Sequence, residues 1–147
     1  MFTSEQFEQG LESWRWIGLE GKVPVIASLF GDVIFQAADG FWWLDSLQGT
    51  LTRSWADADA LLAELNTEDG QEHYLLASLA QAAGQRGLTL AAGQMYDFTR
   101  PPVLGGEVGA DNLQVIDFVV GLNIAGQIHQ QVRALPPGSP ISGITMS

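Results

Sequence analysis

A chain of 147 residues that is 46% hydrophobic and 16% charged, with five tryptophans and seven phenylalanines, has the apolar content for one packed domain and is not a disordered segment. The absence of cysteine excludes disulfides and thiolate metal sites. Seventeen acids against six bases give a net charge of −11, a field that repels phosphate backbones and anionic membranes and attracts basic surfaces, so neither nucleic acid nor membrane is an expected partner.

Thr3 followed by Gln6 has the form of a capping box ahead of Phe7, Leu11 and Trp14. It predicts a helix over residues 4–16, with Glu5 and Glu8 at the positive end of the dipole. The opening residues carry neither a basic run nor a long apolar run, so no secretion leader is expected and the expected location is the cytoplasm. Gly18 and Gly21 mark a loop. Residues 24–30, 32–37, 41–47 and 50–55 read as four short strands joined by tight turns, an antiparallel meander. Asp39-Gly40 is a type I′ hairpin signal and Gln48-Gly49 a second turn. Trp42 and Trp43 must point to opposite faces of their strand, one into the core and the other beneath a helix.

After the meander the hydrophobic period changes. Ser54 is placed to cap a helix reaching about Leu65, with Leu61, Leu62 and Leu65 apolar. Asn66 or Thr67 is placed to cap the next, which runs to about Gln85 with Leu75, Leu76, Leu79, Ala80 and Ala83 as its stripe and Gly84 and Gly87 at its end. Residues 88–90 and 94–96 suit brief extended pieces. Pro101-Pro102 and Gly105-Gly106 interrupt regular structure, and residues 112–116 are extended again. Residues 117–135 fit one helix with Gly121, Ile124, Ala125, Ile128, Val132 and Leu135 along one face, although Phe118-Val119-Val120 would also suit a strand. Pro136-Pro137-Gly138 stops it, and residues 139–147 read as a loose tail, with the domain itself spanning 1–141 and 142–147 beyond it. The fold class is therefore α/β in the broad sense, α+β in detail: a mainly antiparallel sheet with packed helices in a single domain. The longest apolar stretch, Val115 to Gly126, is broken by Asp117 and Asn123 and does not read as a membrane span.

Catalytic signatures are missing: no phosphate-cradling glycine loop, no nucleophile elbow and no paired-histidine zinc motif. The two histidines, His73 and His129, have no metal-ligand spacing, so no metal and no cofactor is expected and the chain does not read as an enzyme. Among seventeen acids some pair will lie close by chance, so carboxylate pairs carry little information. Asp45, between Trp43 and Leu47, would have a raised pKa in an aromatic pocket; a solvent-facing position is the plainer expectation. Asn123, Gln127, Gln130 and Gln131 crowd the last helix; Gln130 and Gln131 read as a solvated face, and Gln127 as a bond to a loop backbone. The long irregular segment from Tyr96 to Asn112 is a candidate functional loop, or else packs on the sheet through Tyr96, Phe98 and Leu104.

Several runs together resemble a known family. Phe30-Gly31-Asp32-Val33-Ile34-Phe35, Trp43-Leu44-Asp45 and Gly49-Thr50-Leu51 look like its opening. Gly93-Gln94-Met95-Tyr96, Pro101-Pro102-Val103-Leu104-Gly105-Gly106-Glu107, Asn112, Gly126-Gln127-Ile128 and Leu135-Pro136-Pro137-Gly138-Ser139-Pro140-Ile141 look like its C-terminal signature. The resemblance, over about residues 24–141, is to the Tdi1-like immunity proteins of type VI secretion, long catalogued as a domain of unknown function. It implies an immunity protein that silences a cognate toxin, often a nuclease, by tight binding and without chemistry of its own. Many members carry a further N-terminal domain, for which this chain has little expected room.

The acids are unevenly placed. From Ser54 to Gln85 there is no Lys or Arg, and Asp57, Asp59, Glu64, Glu68, Asp69 and Glu72 form the expected toxin-contacting surface, with Glu107 and Asp111 second. Glu107 has an alternative structural role, accepting backbone N–H bonds within its loop. The rival functional reading is a small-molecule-binding or regulatory module with a pocket near Trp42, Trp43 and Tyr96. Acidity for solubility alone is the plain alternative to an acidic docking surface.

Overall fold

Period-two alternation in the first half of the chain decides the layering. In a computed structural model, which describes residues 2–135, four strands, β1 (Val23–Ala27), β2 (Val33–Ala37), β3 (Gly40–Asp45) and β4 (Thr50–Trp55), form an antiparallel sheet in the order β1-β2-β3-β4. Val33, Phe35, Trp42 and Leu44 enter one core, while Ile34, Phe41, Trp43 and Trp55 enter another on the opposite face. The two adjacent tryptophans thus divide as expected. Trp42 keeps its outer side covered by the Lys22 ammonium, 4.3 Å from the ring centroid.

Over the first face lie α1 (Ser4–Leu11), the 3-10 segment Glu12–Ile17 that continues it, and the long α5 (Phe118–Ala134). Thr3 closes the expected capping box with Gln6, and Asp117 caps α5 by accepting from Val120 N at 3.1 Å. The β-branched start of α5 is helical. Phe7, Leu11, Trp14, Phe118 and Leu122 meet Val33, Phe35 and Leu44 in the largest core, and complete burial of a Phe35 or a Leu44 contributes about 1.5–3 kcal/mol each. The Trp14 indole N–H donates to Leu122 O at 2.9 Å and Ser13 Oγ to Asn123 O at 2.7 Å, stitching the first segment to α5. Gly126 makes this approach possible, because a Cβ there would collide with Ser13.

The opposite face is covered by α2 (Ala58–Leu65) and α3 (Glu68–Leu75), with Leu61, Leu65 and Tyr74 on Trp43 and Trp55. A third core joins α4 (Ala77–Gln85) to a separate hairpin of β5 (Gln94–Phe98) and β6 (Leu113–Asp117), through Ala83, Leu79, Tyr96, Phe98 and Leu113. Tyr96 N donates to Leu29 O at 2.8 Å and ties the hairpin to the main sheet.

Four expectations are corrected. Ser54 lies in β4, and the cap of α2 is Asp57, whose carboxylate accepts from Ala60 N at 2.8 Å. The helix expected from Thr67 to Gln85 is two helices, because Leu76 adopts a left-handed conformation (φ 50°, ψ 49°) between α3 and α4. For a non-glycine residue this costs about 1–3 kcal/mol, and here it is offset by tertiary packing of α3 on the sheet and α4 on the hairpin. The β2–β3 turn is not type I′: its central residues are Ala38 and Asp39, with Ala37 paired to Gly40, and neither central residue has a positive φ. Residues 88–90 form no strand. The Pro136-Pro137-Gly138 stop, the tail from 139 and the residues 142–147 beyond the domain lie outside the described residues.

Candidate functional site: an acidic helix face and an apolar cleft

Residues 57–72 place six carboxylates on two adjoining helices. Asp57, Asp59, Glu64, Glu68, Asp69 and Glu72 are all exposed, and among the described residues none of them is in an ion pair. Half of them also hold the structure together. Asp57 caps α2. Glu64 accepts from the Trp55 indole at 3.0 Å and faces the Tyr74 hydroxyl, whose pKa is pushed up to about 12 by burial first and by the Glu64 bond and charge second. Glu72 accepts from Ser78 N at 2.7 Å and from the Ser78 hydroxyl, capping α4 across the break at Leu76. Asp59, Glu68 and Asp69 stand in the first turns of α2 and α3, where the helix dipole favours a negative charge. Beneath them Tyr74 packs edge-on against Trp43, with centroids 4.7 Å apart, and His73 lies exposed 5.3 Å from the same indole.

Glu107 and Asp111 belong to a different element, the loop between β5 and β6. Both are exposed. The group that closes this loop is Asn112, not the Glu107 carboxylate. Asn112 Nδ2 donates to the Arg100 and Glu107 carbonyls, both at 2.8 Å, and its Oδ1 accepts from Arg100 N at 3.0 Å. Glu107 therefore joins through its backbone. Arg86, at the end of α4, anchors the loop by donating to the Ala110 and Leu113 carbonyls, each at 2.8 Å.

A cleft among the described residues lies elsewhere than the pocket expected near Trp42, Trp43 and Tyr96. This cleft, of about 620 Å³ counted out to its open mouth, is bounded by α5, the Pro101–Val103 turn, β5, Leu76 and the Ser46-Leu47 turn. Trp42, Trp43 and Tyr96 do not line it. The two tryptophans face opposite cores, and Tyr96 is buried with its hydroxyl donating to Leu88 O at 3.1 Å. The cleft wall is mostly apolar, with Phe30, Met95, Phe98, Ile124 and Ile128 prominent, yet three titratable groups border it: Asp32, Asp97 and His129.

Asp32 is buried, with a relative exposure of 5%. Its Oδ1 accepts from Ser46 N at 2.8 Å and Ser46 Oγ at 2.7 Å, and its Oδ2 from Ser28 Oγ at 3.2 Å. Burial pushes its pKa up to about 7, the charge of Asp45 adds to this, and the bonds from Ser46 and Ser28 oppose it. Asp45 is half-buried, accepting from Leu47 N at 3.0 Å and Gln48 N at 3.2 Å, so it shapes the turn after β3 and is not held in an aromatic pocket. His129 Nε2 donates to the Ser46 carbonyl at 2.8 Å, since a carbonyl can only accept. Burial lowers its pKa, against the raising effects of the Ser46 and Leu47 backbone and Asp45. Gly49 has φ +72°, and a Cβ there would strike the His129 ring, so the β3–β4 turn can seat on α5 only with glycine. Because His129 bonds the Ser46 carbonyl while the Ser46 hydroxyl donates to Asp32, the imidazole is not paired with that hydroxyl as a base is with a nucleophile. The trio ties β2, the turn and α5 together. Asp97 is half-buried, with its pKa raised by burial against weaker bonds from Gln114 and Phe98. Among the described residues no group of three or more metal-ligating side chains converges.

On α5 the amides divide. Gln127 Nε2 donates to Asn123 Oδ1 at 2.6 Å, Asn123 reaches Gln9 O at 3.4 Å, and Gln130 is exposed. The cleft residues Asp32, Ser46 and Asp97 escape sequence reasoning. The available signals are an acid set directly before the apolar run Val33-Ile34-Phe35, and an acid between the aromatics Tyr96 and Phe98.

Among solved structures, the crystal structure of Atu4351 from Agrobacterium tumefaciens is similar, with a TM-score of 0.61 and 18% identity over 86% of this chain. At that identity the likeness concerns the fold, and the match spans 65% of that chain's length. No curated protein matches the sequence. The family model described as T6SS immunity protein Tdi1, C-terminal, matches residues 56–129, half of the chain. The match starts just after β4 and takes in α2, α3, α4, the β5–β6 hairpin and α5 as far as His129. With its acidic helix pair and its cleft both drawn largely from those residues, the chain belongs to the Tdi1-like family of type VI secretion immunity proteins.

Proposed function

We propose that this chain is a cytoplasmic inhibitor that binds and neutralises a cognate toxin, without catalysing a reaction. The observation that carries this reading is the exposed acidity of the helix pair α2–α3. Six exposed carboxylates stand there outside any ion pair among the described residues, in a stretch from Ser54 to Gln85 without a Lys or Arg, in a member of an immunity family. A toxin with a basic surface is the complementary partner. A nuclease fits best, because proteins that grip a polyanion are basic. Glu107 and Asp111 form a secondary contact on the hairpin loop.

An acidic inhibitor meets a basic toxin faster than neutral partners meet, and that advantage falls with salt. The triple variant Asp59→Lys, Glu68→Lys, Asp69→Lys spares the structural carboxylates of Asp57, Glu64 and Glu72. It is expected to slow association with the cognate toxin by about tenfold or more at low ionic strength, and to flatten the salt dependence of the rate. Stopped-flow association measures both. Co-expression tests the function itself: a toxin that kills equally with and without the wild-type chain overturns the reading.

A further inference from the structure

The cleft beside α5 has no part in the acidic-face reading, yet its chemistry is specific. Its walls come from separate elements: Met95 and Phe98 from β5, Pro102 and Val103 from the following turn, and Ile124 and Ile128 from α5. The two carboxylates bordering it are unlike one another. Asp32 is buried, and both its oxygens are already engaged by Ser46 and Ser28. Asp97 is only half-buried and is held weakly, by Gln114 Nε2 at 3.4 Å and by the Phe98 backbone. A carboxylate offers about four lone-pair sites, so Asp97 retains acceptor capacity.

Among the described residues no base forms an ion pair with this group. Arg100, the base nearest in sequence, turns its Nε to the Leu104 carbonyl at 3.0 Å, and the ion pair among the described residues is Arg53 with Asp39. A charge beside apolar walls is costly until it is paired. A group with an apolar stem and a cationic head meets both demands, and long basic side chains have that form.

We propose that the cleft is an anchor pocket for one basic side chain of the toxin, its alkyl stem lying along Met95, Phe98 and Ile124 and its cationic head at Asp97. This rests on the neutralising function proposed above. It supplies what a charged face alone lacks, a desolvated pocket in which a few contacts concentrate binding.

The test has two arms. In the first, the full chain is titrated with n-butylammonium, n-butanol and butyrate and followed by ¹H–¹⁵N NMR. Butylammonium is expected to shift the amides of Met95, Asp97, Phe98 and Val103, butanol less and butyrate not at all. Asp97→Asn should reduce the butylammonium response to that of butanol. Equal responses to ammonium and carboxylate, or an Asp97→Asn variant that keeps the ammonium preference, overturn the proposal. In the second arm the probe is the toxin against which the wild-type chain protects in co-expression. Asp97→Asn and the cleft-filling Ala125→Met are each expected to weaken its binding at least tenfold with folding intact by circular dichroism. Wild-type toxin affinity in both variants shows that the cleft takes free amines only, and overturns the assignment to the toxin while leaving the neutralising function standing. A wild-type chain that gives no protection overturns the neutralising function and with it the toxin as the source of the cation, whatever the fragment titrations show.

Discussion

The helix pair α2–α3 turns its carboxylates toward water, whereas Asp32 and Asp97 hold theirs against apolar walls, and one functional group behaves as two different things. On the helices the acids repel each other through a screened, high-dielectric medium, and under the proposed function they set how fast a toxin arrives. At the cleft the same group is desolvated. Asp32 there is worth keeping only because Ser46 and Ser28 surround it with donors. Charge reversal on the helices is therefore expected to change association kinetics, and removal of Asp32 to change stability.

Asp32→Ala is the sharpest way to break that contrast. It leaves Ser46 N, Ser46 Oγ and Ser28 Oγ without their acceptor, and a loss of about 2–4 kcal/mol is expected in urea denaturation. The pH dependence sharpens it further. Asp32 keeps its proton in the folded state up to about pH 7, but in the unfolded chain only up to about its ordinary 3.8. Between those values the folded state binds more protons, so stability falls as pH rises through this window and levels off above it. Asp97, raised in the same direction, adds to the fall. His129 opposes it: its folded pKa lies below 6.5, so acidification through that range favours the unfolded chain. Asp32→Asn should flatten the decline between pH 4 and 7, measured as the denaturation midpoint against pH.

A smaller effect is expected where packing, not charge, is disturbed. Gly126→Ala forces a methyl into Ser13 and should cost about 1–3 kcal/mol in thermal unfolding, without changing the pH profile. On the acidic helices the effects are smaller still and graded by what each acid does. Asp57→Ala removes the α2 cap and should cost about 1 kcal/mol. Asp69→Ala, with only the helix dipole to lose, should cost about 0.3–1 kcal/mol at low salt, and the same denaturation series ranks the two. An Asp69 variant as damaging as the Asp57 one would erase the distinction between structural and free carboxylates on this face.

The legible parts of the fold are those fixed by neighbours in the chain. The Thr3–Gln6 capping box, the opposite facing of Trp42 and Trp43, and α5 from its Asp117 cap onward each follow from a spacing of a few residues. The acidic surface is readable because exposure is the ordinary fate of clustered acids. The illegible parts depend on contacts distant in sequence. Nothing beside Leu76 marks a helix break, since neither glycine nor proline stands there, and the residue is forced left-handed by what α3 and α4 each pack upon. Asp32 is buried by Ser46, fourteen positions away, and His129 by the turn before β4, eighty-three away. Trp42, Trp43 and Tyr96 line no part of the cleft. In this fold the two tryptophans are consumed in building the two faces of the sheet.

The kink at Leu76 carries a consequence for how the acidic helices and the cleft relate. A leucine held against its own backbone preference is a joint clamped from outside, and a peptide covering residues 67–87, freed from sheet and hairpin, should relax into one straight helix in a helix-promoting solvent. The direction in which the acidic helices point is thus set by the same clamp that shapes the cleft mouth, so loosening either support would re-aim the charged face as well as reshape the opening.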